Sequence, residues 1–140
     1  MILLDTNVLS ELMRPHPHAG VVAWVDAQSG GIHVSAITLA EINLGIALLP
    51  EGKRRDLLAT AARQMFEEDF AARCLPFDAA AAGLFAQIVA QRRRIGRPIT
   101  TQDAQIAAIA LANTLSLATR NTIDFADIPG LVLLDPWQAG

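Results

Sequence analysis

The sequence predicts an α/β fold with a mostly parallel central sheet. Short apolar runs at residues 2–4, 32–35, 74–77, 116–119 and 131–134 alternate with longer stretches of helical periodicity, and no internal repeat or low-complexity segment interrupts the pattern. The chain has 140 residues, 52% of them hydrophobic and 18% charged. That length and composition suit one domain over residues 1–140, with apolar residues in surplus for a large core or for a partner's surface.

Ile2, Leu3 and Leu4 form a short apolar run compatible with a buried parallel strand, which stops at Asp5 before helical sequence begins at Val8. Arg14-Pro15-His16-Pro17-His18 is a proline-stiffened loop. A helix through residues 21–25 should end near Ser29, where Gly30-Gly31 follow. Residues 32–35 form the second strand, and residues 38–49 a helix closed by Pro50 and Gly52. Residues 53–72 form a longer, more polar helix with Leu57, Leu58, Ala61, Ala62, Met65 and Phe66 at core spacing. After a short edge strand at residues 74–77, Asp78 N-caps an alanine-rich helix running to about Ile95, which Gly96 and Pro98 end. Residues 100–113 form the next helix, 116–119 a strand, and 131–134 the last strand.

The formal net charge is −3, with a pI near 5.5, so attraction to a polyanion is not a property of the whole molecule. Any nucleic-acid contact is local. Lys53-Arg54-Arg55 and Arg92-Arg93-Arg94 with Arg97 are either such contacts or solvated helix faces. Cys74 stands alone, which excludes an intramolecular disulfide and a cysteine-rich zinc pattern; it reads as a small core residue. His16, His18 and His33 do not suffice for a zinc site. The first apolar run has no basic stretch before it and is too short for a signal peptide or a membrane span. A cytoplasmic protein without membrane contact is expected.

Four acids stand out. Asp5 ends the first strand, where α/β proteins place their chemistry, although it also suits the N-cap of the next helix. Glu41 shares a helical stripe with Ile37, Leu44, Gly45 and Leu48 and has no basic partner one turn away. A carboxylate buried on such a stripe normally neutralises or finds a cation, which a metal or a distant arginine would supply. Asp103 stands three residues after Thr100, the spacing of a capping box, and no basic residue follows within a turn. Asp124, with Asn121 nearby, lies just past a predicted strand at the same sheet edge as Asp5. Hard oxygen ligands without sulfur suit magnesium or manganese. A divalent ion would hold such acids together and make phosphodiester hydrolysis possible.

These residues also match a family. Leu3-Leu4-Asp5-Thr6-Asn7, the stretch from Ser35 to Glu41, Asp103 leading Ile106-Ala107-Ala108, and the stretch from Thr119 to Phe125 resemble the PIN-domain nucleases, and more narrowly VapC-type toxins of the FitB-like subgroup. The motifs occur in order along nearly the whole chain. The resemblance implies a PIN-like three-layer α/β/α sandwich and a magnesium- or manganese-dependent ribonuclease. It also implies a homodimer neutralised by a small DNA-binding antitoxin. By motif position Asp5, Glu41 and Asp103 would be the metal-binding acids. The fourth acid of the family falls at Asn121 or Asp124, and here only Asp124 is charged. Thr6 and Asn7 would support the site through hydroxyl and amide hydrogen bonds.

Two other readings compete. An aspartate-based phosphohydrolase of the haloacid-dehalogenase type also begins with a strand ending in Asp, but needs a second Asp where this chain has Asn7. A catalytically inactive PIN-like binding module would keep the fold and use the acids only as caps.

Overall fold

The first strand, β1 (Ile2–Leu4), is buried at all three residues, as a strand covered on both faces requires. Its side chains alternate between two cores. Leu3 packs with Leu117, Phe125 and the helical residues Ile88, Ile106 and Ile109; Ile2 and Leu4 pack with Val8, Leu9, Val21, Val34 and Ile42. The computed structural model describes residues 1–28 and 30–138. After β1 come α1 (Thr6–Leu12), α2 (Ala19–Asp26), β2 (Ile32–Ser35), α3 (Ala36–Ala47) and α4 (Lys53–Gln64). Then follow β3 (Cys74–Leu75), α5 (Ala79–Arg94), α6 (Thr101–Ala112), β4 (Ser116–Ala118) and β5 (Leu133–Leu134).

The strands pair in the order β3-β2-β1-β4-β5, and every pairing is parallel. Helices α5 and α6 cover one face and α1 to α4 supply the second core, giving the α/β/α sandwich that the family resemblance implies. The chain steps from β1 toward β3 on one side and from β4 to β5 on the other. The carboxyl ends of β1 and β4 therefore flank the topological switch point, the crevice where open α/β sheets bind ligands.

Local signals fix most boundaries. Ser35 Oγ accepts from Thr38 N (3.1 Å), Asp78 Oδ1 from Ala81 N (3.0 Å) and Thr100 Oγ1 from Asp103 N (3.2 Å), each capping the helix that follows. Gly96, at φ +72°, takes the left-handed conformation that closes α5. Helix α3 starts earlier than its apolar pattern suggests, because Ser35 ends the strand and caps the helix in one step. The helix read over 53–72 stops at Gln64 and widens into a π turn, Met65–Asp69, with Phe70 N bonded to Met65 O at 2.8 Å. Ser29, near which the sequence ends the second helix, lies outside the described residues; α2 itself ends at Asp26. No described helix is long and apolar enough to cross a membrane.

Three faces differ from the sequence reading, the first being that of Leu57, read at core spacing on α4 yet 62% exposed. Leu44 of α3 and Leu48, which caps its C-terminus, are 59% and 75% exposed, because the helix buries Thr38 and Ile42 instead. Periodicity marks an apolar stripe but not what covers it. In the run Arg92-Arg93-Arg94 the last two side chains are solvated, whereas Arg92 is buried.

Candidate metal centre

Asp5 follows β1 directly, its N–H held by Ala118 O of β4 at 2.9 Å. That register sets Thr119, the residue after β4, beside it. Thr119 Oγ1 donates to Asp5 Oδ2 at 2.8 Å, and Thr6 N donates to Asp5 Oδ1 at 2.8 Å. Asp5 is thus both the N-cap of α1 and a carboxylate at the switch point. It is only 5% exposed, and this burial pushes its pKa up to about 6. The hydrogen bonds from Thr119 and Thr6 oppose the rise, and the charges of Asp103 and Glu41 add to it.

The Thr119 hydroxyl is fully used. Besides donating to Asp5 it accepts from Asn7 Nδ2 (3.3 Å) and Asn121 N (3.1 Å), while Asn7 Oδ1 accepts from Arg120 N (3.4 Å). Asn7 therefore locks the β4 end to the start of α1. A second hydroxyl chain reaches Glu41: Thr6 Oγ1 donates to Glu41 Oε1 at 3.0 Å and lies 2.9 Å from Thr38 Oγ1, which accepts from Ser35 Oγ at 3.3 Å. With the Thr6 proton committed to Glu41, Thr38 donates to Thr6.

Glu41 is exposed, contrary to the buried stripe expected for it. Its tie to the site is the Thr6 hydroxyl, not desolvation. Asp103, in the first turn of α6, is half-buried, and burial raises its pKa. The Thr100 hydrogen bond lowers it, the charges of Asp124 and Glu41 raise it, and the charge of Arg92 lowers it. An open cleft of about 470 Å³ gathers Asp5, Thr6, Asn7, Glu41, Asp103 and Asn121. Asp124 sits outside that lining, exposed on a 3₁₀ turn (Thr122–Phe125) that buried Phe125 anchors, yet near enough for its charge to act on Asp103.

Sequence reasoning missed Thr119, Thr38 and Ser35, whose hydroxyls carry no charge to flag them. The available signal was position: Thr119 is the last residue of the predicted strand 116–119, which ends at the same sheet edge as Asp5. It also missed Ser10, Glu11 and Arg14, which form one wall of the cleft. Glu11 accepts from His18 N at 3.0 Å and pairs with Arg14, which together hold its carboxyl below the ordinary glutamate range.

The donor chemistry fits a hard divalent cation. Among the described residues the ion pairs are Arg14–Glu11 and Arg97–Asp127, so none neutralises Asp5, Glu41, Asp103 or Asp124. Among the same residues no three His, Cys, Asp or Glu side chains enclose an ion unaided. Magnesium matches that openness, because it keeps several waters and binds through one or two carboxylates.

The model of the PIN domain matches residues 2–131. The chain is 44% identical to the toxin FitB of Neisseria gonorrhoeae, covering 99% of both chains. It is 41% identical to the VapC ribonuclease Y4jK of Sinorhizobium fredii, again covering 99% of both. Its fold superposes on the crystal structure of FitAcB from Neisseria gonorrhoeae with a TM-score of 0.89 and 43% identity, covering 99% of each chain. With a toxin-antitoxin complex from Klebsiella pneumoniae the TM-score is 0.71 at 26% identity, covering 97% of this chain and 98% of that one.

Proposed function

This chain belongs to the PIN-domain family, and from that premise we propose that it is the ribonuclease toxin of a toxin-antitoxin pair, a single nuclease domain over residues 1–140. The observation that carries the reading is a buried aspartate at the switch point with Glu41 and Asp103 in its cleft, none of the three in an ion pair among the described residues. Asp5, Glu41, Asp103 and Asp124 would hold magnesium or manganese. When bound, the ion supplies Lewis-acid stabilisation of the charge that builds on the phosphorus oxygens.

The residues of the chain do the rest. Thr119 and Thr6 N fix both oxygens of Asp5, so its geometry is set before a ligand arrives. Thr6 fixes Glu41, whose exposed carboxylate is placed to orient an attacking water and take its proton. Asn121, on the cleft wall, offers an amide to a phosphate oxygen or a water. The position two residues after Asp5, which an aspartyl-phosphate enzyme would fill with an acid, is occupied by Asn7, an amide that donates to Thr119 and accepts from Arg120 N.

Purified protein freed of antitoxin should cleave single-stranded or loop RNA in manganese or magnesium. EDTA should stop the reaction, and restoring the ion should recover it. Cleavage undiminished in EDTA sinks the metal-dependent reading. No cleavage of any RNA, with tight antitoxin binding retained, favours the inactive module.

Beside the cleft an apolar groove of about 790 Å³, lined by Met13, Ile42, Ile46, Leu57 and Leu58, shares Ser10 and Arg14 with it. Lys53 and Arg54 also line it. A DNA-binding antitoxin would fit this groove through an apolar segment flanked by acids, which would reach the cleft over Arg14. Leu57 is 62% exposed, so Leu57→Glu should spare the fold and weaken antitoxin binding by about tenfold or more. An unchanged Kd by calorimetry with the co-expressed antitoxin removes the groove from the contact. The exposed Leu44 and Leu48 would offer apolar area for a homodimer.

A further inference from the structure

Arg92, in the last turn of α5, is 3% exposed, and a guanidinium does not shed its proton to escape burial. Three of its five N–H donors are met by backbone carbonyls. Nε donates to Arg97 O at 2.6 Å, and one terminal nitrogen donates to Asp124 O at 2.9 Å and Ala126 O at 3.0 Å. These acceptors belong to two different segments. Arg97 lies in the α5–α6 loop that leads to Thr100 and Asp103; Asp124 and Ala126 lie in and just after the 3₁₀ turn. Arg97 and Asp127 pair across the same two segments near the surface.

We infer that Arg92 is a positioning residue of the acidic site: its guanidinium clamps the α5–α6 loop to the Asp124 turn and thereby sets the separation of the Asp103 and Asp124 carboxylates. The inference rests on the reading of those acids as the nuclease site. A lysine cannot replace this fork, because one ammonium does not span three carbonyls with fixed planar geometry. Arg92 is not among the cleft-lining residues, so its loss acts on the turn and on the chemical step more than on RNA affinity.

The test compares wild type, Arg92→Ala and Arg92→Lys, with Arg92→Lys carrying it if the alanine variant does not fold. Without RNA or metal, hydrogen exchange at residues 121–127 should speed by about tenfold or more while β1 and β2 stay protected. Manganese-dependent cleavage should lose up to roughly 100-fold in kcat, the scale of a misplacement near 1 Å, with KM changed less than about twofold. Guanidinium, far below denaturing concentrations, should partly restore both exchange protection and kcat in Arg92→Ala; sodium at the same concentration should restore neither. Unchanged exchange in a folded variant overturns the clamp, whatever the RNA result. Faster exchange with unchanged kcat overturns its link to the site, and a loss confined to KM makes Arg92 an RNA contact instead. If wild type itself cleaves no RNA, it is the ribonuclease reading that fails, and the exchange data still judge the clamp.

Discussion

Asp5→Asn and Asp103→Asn are each expected to cut RNA cleavage by about a thousandfold or more, the several kcal/mol that a Lewis-acid contact contributes. Both should leave the fold intact. At Asp103 the capping bond to Thr100 comes from the backbone N–H, which the substitution keeps. At Asp5 an asparagine oxygen can still accept from Thr6 N, so α1 retains its cap. What disappears is a negative charge that no ion pair among the described residues neutralises. Single-turnover cleavage of labelled RNA, with circular dichroism and antitoxin binding as controls, separates loss of chemistry from loss of structure. A folded Asp103→Asn protein with wild-type cleavage would show that the acid serves α6 alone and would remove it from the site. The capping and ligand roles, equally open in the sequence, are thereby separable.

The signals that were legible in the sequence are local or obey a simple period. Alternating strands and helices gave the sheet, and Asp78, Thr100 and Gly96 marked helix ends because a cap depends on two or three neighbouring residues. The coming together of Asp5, Glu41 and Asp103 was legible only through motif order and sheet topology, since they lie far apart in the chain. Three features were not legible, each for its own reason. The exposure of Glu41 with Leu44 and Leu48 depends on which of two apolar stripes on α3 meets the sheet, and amphipathic periodicity is the same for a core and for a docking face. The burial of Arg92 depends on carbonyls about 30 residues further on, so a run of three arginines reads as solvated. The role of Thr119 depends on the β1–β4 register, which places its hydroxyl against Asp5.

Asp5 also sets function against stability in a way that pH should expose. Its folded pKa of about 6 lies above the 3.8 of an ordinary aspartate, so between those values the folded state binds the proton that the unfolded chain releases. Keeping Asp5 ionised therefore costs the metal-free fold about 2–3 kcal/mol at most above pH 6, a cost that shrinks as pH falls and is gone near pH 4. Thermal melts in EDTA should show Asp5→Asn gaining on wild type as pH rises from 4 to about 7 and then levelling. The asparagine amide crowds Thr119 Oγ1, which already accepts twice, so the gain falls short of that ceiling. Manganese affinity should run the opposite way. Protons compete for the carboxylate, so affinity should drop about tenfold per pH unit below pH 6 and plateau above it. Thr119→Val removes a hydrogen bond that favours the ionised form and should shift this limb to higher pH, while Thr119→Ser, which keeps the hydroxyl, should shift it little. An acid limb near pH 4 in wild type, unmoved by Thr119→Val, would mean that Asp5 is solvated and not held ready in a desolvated site. A limb near 6 that moves with Thr119 identifies burial as the source of both the raised pKa and the pull toward a divalent ion, because the binding of that ion is what offsets the cost of the buried charge.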